Sequence, residues 1–506
     1  MNRIARALLH SFLFSAVVCP ALLLFLSDSS CAYDLEKQVK KYTLENGLKL
    51  LMVKRDFSPT VSLYIRHKVG AADEQSGKTG TAHFLEHMLF KGTRTIGTKN
   101  FGREKRILDE IARTGDALDQ ESRKGEMADP SKMKSIQARL DGLENEQRTL
   151  VLSNEIDRLY SENGAEALNA STSQDVTTYQ VSLPANKLEL WARIESERMM
   201  APVFREFYAE RKVIMEERRQ SIESDPDGKL MEQFLAAAFI AHPYGRPILG
   251  WPYDMSYLSI KDLDDFLKQY HTPSNTVIAV VGNIYHQDVL RLITNYFGPI
   301  PAGETPDSRI TEEPPQLGER RISVSFDANP RLVMGFHKPT LPSYDDYVFD
   351  VIQALLTDGR VSRLHKILVE EKAVAESVRS ASSMPGTRYP NLFTLFATPR
   401  HPHSLAELEE AMMVELERLK KEPVSDRELE RVKNSLKASF VRSLDSNAEL
   451  ASMLSYFETV AGDYRYIVEH LKIIDKITPD DLMRVARKYF TQKNKTIALL
   501  SKTPKE

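Results

Sequence analysis

One helix-strand unit occurs twice in this chain. Asp262, Leu263, Tyr270, Thr272, Asn275, Ile278 and Ala279 recur without a gap as Asp481, Leu482, Tyr489, Thr491, Asn494, Ile497 and Ala498, every match 219 positions apart. In the first copy the helical stretch from Lys261 to Tyr270 leads into Thr276-Val-Ile-Ala-Val-Val281, an apolar run of the buried-strand type. So long and constant an offset implies two copies of one domain. A chain of 506 residues has room for two to four domains, and the repeat points to two. Pro299 to Gly318, rich in Pro, Gly and Glu, is the natural linker. The expected organisation is a first domain over 33–300, a linker over 301–317 and a second domain over 318–506, the last opening on Arg321-Ile-Ser-Val-Ser-Phe326 and Leu332-Val-Met-Gly-Phe336.

Within the first copy, Lys41 to Val53 reads as a hairpin around Asn46-Gly47, and Val61 to His67 continues the sheet by alternation. A glycine-containing turn from Gly70 to Gly80 then opens a helix. Residues 103–157 change character and become charged and helical. Ile107 and Ile111 mark one apolar stripe, Met133, Ile136, Leu140 and Leu143 another, and Ala128-Asp-Pro130 separates them. This reads as an inserted helical hairpin, either a solvated protrusion or a docking arm for a partner. Leu168 to Leu183 returns to β character, helical periodicity runs from Lys187 to about Ser221, and His242-Pro-Tyr244-Gly is turn-rich. The fold class that follows is α+β.

With 42% hydrophobic and 27% charged residues the body is an ordinary globular one, and a net charge of −3 without a basic stripe excludes a nucleic-acid partner. Cys19 and Cys31, the two cysteines, both fall in an N-terminal segment with Arg3 and Arg6 in front of an apolar stretch from about Leu8 to Leu26. Ser30-Cys31-Ala32 offers small residues for cleavage before Tyr33, so residues 1–32 read as a signal peptide and the protein as exported. Lipid modification at Cys31 and retention as a membrane anchor are the alternatives, weakened by Asp28 and Pro20 respectively.

The chemistry is concentrated in Thr81-Ala-His83-Phe-Leu-Glu86-His87-Met-Leu-Phe-Lys91. On a helix, His83 and His87 stand one turn apart on one face, so both imidazoles can reach one metal ion, and Glu86 borders that face close enough to work on a water there. A catalytic zinc site takes three protein ligands and leaves a fourth position open. The acidic stretch Glu210-Arg-Lys-Val-Ile-Met-Glu216-Glu217 supplies the candidates: Glu210 and Glu217, two turns apart, share a face, and on pattern alone they are equal.

H-x-x-E-H is the inverted form of a zinc-peptidase motif. Here the chain resembles the pitrilysin-type (M16) metallopeptidases, the group of mitochondrial processing peptidase and insulin-degrading enzyme, and most of all their smaller bacterial two-domain members. The resemblance implies mainly antiparallel sheets flanked by helices, closing as a clam-shell around an extended peptide, and Zn2+ as cofactor. It implies that His83, His87 and Glu217 are the ligands, Glu86 the general base and Glu210 an accessory acid. It places Asn169 and Ala170 on a strand that pairs with substrate main chain. The separation from His87 to Glu217 is longer than usual for the family, and the charged hairpin accounts for the excess. The second copy has no zinc motif, as expected for the family's inactive domain. Many members carry an Arg and a Tyr there for substrate, at positions that Val369 and Glu376 hold in this chain. The resemblance therefore implies a homologous partner subunit bearing that pair, and a periplasmic or membrane-anchored zinc endopeptidase that works poorly alone. A non-catalytic scaffold subunit is the alternative. His401, His403, His271, His286, His337 and His365 are given no role.

Overall fold

The computed structural model describes residues 35–304, 306 and 309–502. The leader read at residues 1–32 lies outside the described residues. The chain divides into an N-terminal unit ending at Lys40, with a short helix Leu35–Gln38, and one body from Lys41 onward.

The body is built on two sheets of one design. The first comprises β1 (Lys40–Thr43), β2 (Lys49–Lys54), β3 (Thr60–His67), β4 (Glu166–Thr172), β5 (Thr177–Pro184) and β6 (Thr276–Gly282), in the order β1-β2-β6-β3-β5-β4. The second comprises β7 (Arg320–Ser325), β8 (Arg331–Lys338), β9 (Ala375–Met384), β10 (Asn391–Pro399) and β11 (Lys495–Ser501), in the order β7-β11-β8-β10-β9. The β2·β6 and β7·β11 pairs are parallel and the rest of the matching ladder is antiparallel. Strip β1 from the first sheet and the two orders superimpose, strand for strand.

The residues repeated in the sequence are those that fix this shared corner. Asp262 and Asp481 close reciprocal capping boxes with Ser259 and Thr478 at the starts of helices Ile260–Tyr270 and Pro479–Tyr489. Leu263 and Leu482 are fully buried on the inner faces of those helices. Asn275 then donates its amide to Tyr270 O and to Lys68 O just after β3, and Asn494 donates to Tyr489 O and to His337 O on β8. Each asparagine thereby ties the helix end to the strand beside which β6 or β11 will pair. Ile278, Ala279, Ile497 and Ala498 are buried in those strands.

Each half also lends a helix to the other's sheet. Helix Pro226–Ala238 from the first half packs across β7 and β11, burying Leu230, Phe234 and Ala238 against Val333, Leu392 and Leu500. Helix Asn447–Val460 from the second half packs on β3 and β6, where Arg66 lies over the Tyr456 ring and reaches Ser452. The fold is α+β with two mainly antiparallel sheets flanked by helices. Residues 301–304 and 309–319 contain neither helix nor strand, yet the segment is anchored: Glu313 accepts from the amides of Ile240, Ala241 and His242, and Gln316 bonds Lys495 O.

Two local expectations differ from the structure. The helical stretch read through Lys187 to Ser221 is two helices, Leu188–Met200 and Phe207–Arg218, because Pro202 bridges to Thr93 and the chain turns at Glu206, whose φ is 57°. The charged insertion spans helices Phe101–Ser122 and Pro130–Arg148, with Glu155–Glu162 a separate short helix after them.

Candidate metal centre

The motif helix, Thr81–Met88, is set by its first residues. Gly80 enters it with φ of 89°, and a Cβ there would lie 2.3 Å from the Met255 sulfur and 3.1 Å from Leu249 O, so glycine is required on two counts. The Glu74 carboxyl accepts from Gly80 N and Ala82 N, both at 2.8 Å, and so satisfies two N–H groups at the helix start, although burial outweighs these bonds and pushes the group up to about 8. Ala82, Phe84, Leu85 and Met88 are fully buried and lock the helix rotation, which turns His83, Glu86 and His87 toward one cleft. The two imidazole rings lie 4.7 Å apart between centroids.

Helix Phe207–Arg218, the acid helix, brings its carboxylates to the same place. Glu217 Oε1 is 3.7 Å from His83 Nε2, and Glu217 Oε2 is 3.6 Å from His87 Nε2. Ligand atoms of these three residues all lie within 4.8 Å of one another, the one such grouping of three metal-capable side chains among the described residues. Glu217 is the penultimate residue of the regular helix, and the backbone widens into a π-turn over Arg219–Glu223 directly after Arg218. Glu216 points away, paired with Arg219 in solvent.

Glu210 sits one layer further back. Its Oε1 lies 2.8 Å from His87 Nδ1 and its Oε2 2.6 Å from Lys91 Nζ. Burial works against its charge, but the hydrogen bonds from His87 and Lys91 prevail and hold the carboxyl down at about 2. On His87, burial pulls the pKa down while Glu210's hydrogen bond and charge push it up, and the net shift is upward. Burial lowers His83 to about 3, so that imidazole is neutral. Glu86 Oε2 accepts from Thr172 Oγ1 at 2.6 Å, and burial raises its carboxyl despite that bond.

These contacts test whether a cation fits. The ionised Glu210 accepts at His87 Nδ1, which makes that nitrogen the proton-bearing one in the neutral ring and leaves Nε2 as a lone pair. The two imidazole Nε2 atoms and the Glu217 carboxylate converge, and His83, whose Nδ1 is buried without a hydrogen-bond partner, presents Nε2 as a lone pair when Nδ1 carries the proton. The 3.6–3.7 Å separations from Glu217 are too long for hydrogen bonds. Each runs to a different Glu217 oxygen, and with one ligand atom per residue the three lie within 4.8 Å, wider than the edge of ~3.4 Å expected for a tetrahedral zinc shell with bonds of about 2.1 Å but within reach of a small side-chain adjustment. The donor set and its spacing fit Zn2+.

A cleft of about 550 Å³ opens in front of these groups. Ala170, Ser171 and Thr172 of β4 form one wall, and Met231, Leu235, Ile248 and Leu249 supply apolar surface. β4 is the edge of the first sheet: Asn169 pairs with Gln180 and Ala170 with Tyr179 on its inner side, which leaves the outer ladder open. Asn169 is exposed and does not line the cleft; Ala170 does. From the second half, Pro385 reaches the cleft. Val369 instead packs against the second core, and Glu376 is exposed on β9, so neither lies at the cleft. His403 lies near Glu407, with no third metal-capable group. Sequence reasoning overlooked Lys91 and Thr172. Lys91 stands four residues after His87, and Thr172 two after Ala170, so each was one structural period from a residue already named.

A duplicated sheet-and-helix domain, with the inverted histidine motif in the first copy alone, is the architecture of the two-domain M16-like folds. The chain belongs to peptidase family M16: the description "Insulinase (Peptidase family M16)" matches residues 50–117 and 149–251, and "Peptidase M16 inactive domain" matches 257–436. The first match passes over 118–148, within the helical hairpin. The chain is 26% identical over 490 residues to the zinc protease PqqE of Helicobacter pylori, covering 95% of this chain and 96% of that protein. A crystal structure of a protease from Helicobacter pylori superimposes with a TM-score of 0.75 at 25% identity, covering 92% of this chain and 99% of that one. The periplasmic protease PqqL of Escherichia coli shares the fold, with a TM-score of 0.68 at 19% identity over 92% of this chain and 48% of that one.

Proposed function

We propose that this chain is a zinc-dependent endopeptidase acting on extended or unfolded peptides. His83, His87 and Glu217 would hold Zn2+, and Glu210, with Lys91 behind it, fixes the His87 ring in the tautomer that leaves Nε2 free. When bound, the ion polarises the scissile carbonyl and acidifies water. Glu86 takes the water's proton and returns it to the departing amine; its burial, which lifts the carboxyl toward neutrality, suits a group that must do both. The Thr172 hydroxyl orients the Glu86 carboxylate toward the cleft. The open edge of β4 from Asn169 to Thr172 holds the substrate main chain as an added strand, which makes recognition tolerant of sequence. The observation that carries this reading is the convergence of two imidazoles and the Glu217 carboxylate, with ligand atoms within 4.8 Å of one another, beside the buried Glu86 carboxyl.

Val369 and Glu376 leave the second half without substrate-polarising side chains at those positions, which favours a homologous partner subunit that supplies an Arg and a Tyr. The same observation favours the second reading, a non-catalytic subunit that keeps its metal. The apolar N-terminal stretch, and the periplasmic address in the name of PqqL, support export to the periplasm, with or without a retained anchor.

Zinc content and cleavage of an unfolded peptide, measured with and without any chain that copurifies, separate these readings. The expected result is one zinc per chain in both the wild type and Glu86→Gln, with cleavage at least ~10²-fold lower in the variant. Absence of zinc, or undiminished cleavage by Glu86→Gln, refutes the endopeptidase assignment.

A further inference from the structure

The helical hairpin Phe101–Arg148 lies against the back of the acid helix. Arg211, the residue after Glu210, donates to both oxygens of Asp119 at 2.8 and 3.1 Å and to Leu258 O at 3.1 Å. Four residues earlier on the same hairpin helix, Gly115 makes room for Tyr208. A Cβ at Gly115 would lie 1.8 Å from the phenolic oxygen and 1.9 Å from Cζ, so the two helices touch at the distance only glycine allows. Arg211 also lies over the Tyr208 ring, 5.0 Å from its centroid.

From there the contacts run inward. Tyr208 meets Phe207 edge to face at 5.0 Å, and Phe207 stacks at 4.8 Å on Phe84, the residue after His83. Asp119, Tyr208, Phe207 and Phe84 are all buried. A metal cage tolerates displacement of its ligands by only ~0.5 Å. The acid helix is twelve residues long, starts with a left-handed Glu206 and ends in a π-turn, so neither of its ends continues as regular helix. Something lateral has to set its rotation and its axial position, and the hairpin makes a bidentate ion pair and a ring-to-backbone contact on that side.

We propose that the hairpin is a brace for the metal centre, in which Asp119 and Gly115 are positioning residues that hold Glu217 and Glu210 in register with His83 and His87. Asp119 falls within the segment that the family description passes over, whereas Gly115, Tyr208 and Arg211 fall within the matched residues. The inference rests on the zinc reading for its consequence, although the brace itself is independent of the metal.

The test uses the full-length protein and the variants Asp119→Ala, the milder Asp119→Asn, Gly115→Ala, and Asp109→Ala as a control on the exposed side of the hairpin. Zinc affinity is read by competition with a chromophoric chelator. Amide exchange over residues 207–218 and the melting temperature are read on the metal-free protein. A brace predicts that Asp119→Ala and Gly115→Ala weaken zinc binding ~10–100-fold, that Asp119→Asn falls between them and the wild type, and that acid-helix amides exchange faster even without metal. Asp109→Ala changes neither reading. The proposal is overturned if acid-helix exchange is unchanged in Asp119→Asn, or if zinc affinity in all four variants merely follows the melting temperature. A wild type that binds no zinc sinks the endopeptidase reading instead, and the exchange measurement still decides the brace.

Discussion

Arg205 and Glu104 form an ion pair with both side chains at 0% exposure, at the root of the hairpin and behind the loop that leaves the motif helix. The guanidinium donates Nε to both Glu104 oxygens at 2.9 and 3.1 Å, Nη1 to Lys91 O and Ile96 O at 3.0 and 3.2 Å, and Nη2 to Thr93 O at 2.6 Å. Three carbonyls of one tight loop thus share a single donor group. Gly92 and Gly97, at φ 99° and 89°, let that loop close around it. Glu104→Gln keeps an acceptor but leaves a buried cation without its counter-charge, for which the lower end of the range for breaking a buried pair, about 3 kcal/mol, applies. Arg205→Met removes the donor from the carboxylate and from the Lys91 and Thr93 carbonyls, while Ile96 O keeps Thr93 N. Each abandoned acceptor costs ~1–3 kcal/mol before relaxation, so this change should exceed the first and reach about 5 kcal/mol. At ~2–4 °C per kcal/mol, the melting transition followed by near-ultraviolet circular dichroism should drop ~6–12 °C for Glu104→Gln and further for Arg205→Met. A drop under ~2 °C for either, or the reverse order between them, would refute the view that this pair organises the loop.

Glu210→Gln should weaken zinc binding ~10–100-fold, because the amide accepts more weakly from His87 Nδ1 and no longer balances Lys91; equal affinity in chelator competition would remove Glu210 from the site. Stability should fall on acidification through the buried neutral histidines. Burial depresses His242 to about 4 and His271 to about 3 from an ordinary 6.5. The unfolded chain therefore binds protons that the folded one does not, so the contribution is complete above pH 6.5 and is lost between there and about 4 for His242, lower still for His271. His242 Nδ1 must stay unprotonated to accept from Tyr244 N, so His242→Asn, which offers an acceptor without titrating, should flatten the upper part of that decline in denaturant titrations across pH.

The duplicated fold could be read from the sequence because the repeated residues do local work. Asp262 and Asp481 cap a helix, and Asn275 and Asn494 tie that helix to a strand, so identity survives at positions where few side chains would serve. The exchange of helices between halves could not be read in this way. Helices Pro226–Ala238 and Asn447–Val460 have ordinary amphipathic patterns, and periodicity gives the buried face without saying whose sheet it meets. At the site, the spacing of His83, Glu86 and His87 was sufficient because one helix carries all three. Glu210 and Glu217 share a helix face, and only the tertiary approach of that face distinguishes them: Glu217 meets both Nε2 atoms, whereas Glu210 meets Nδ1. The hairpin looked detached on charge alone because its partner surface, Tyr208 and Arg211, lies ninety residues further along the chain, and a glycine in a charged helix gives no sign of the ring that fills its place.

The two halves have kept different things. In the first, three groups of the proposed site are held by a neighbour, Glu86 by Thr172, His87 by Glu210 and Glu210 by Lys91, whereas His83 Nδ1 is buried without a hydrogen-bond partner. In the second, half-buried Val369 packs against the apolar core. An arginine there would first disturb packing, since half-buried Val369 would lose its apolar contacts with the core. Glu376→Tyr on the exposed part of β9 is the gentler change. Because Glu376 does not line the cleft, Glu376→Tyr should leave kcat, KM and zinc affinity of the lone chain unchanged in peptide-cleavage and chelator assays. A clear gain in kcat would mean that this position reaches the substrate within one chain, and the case for a partner that supplies those contacts would weaken accordingly.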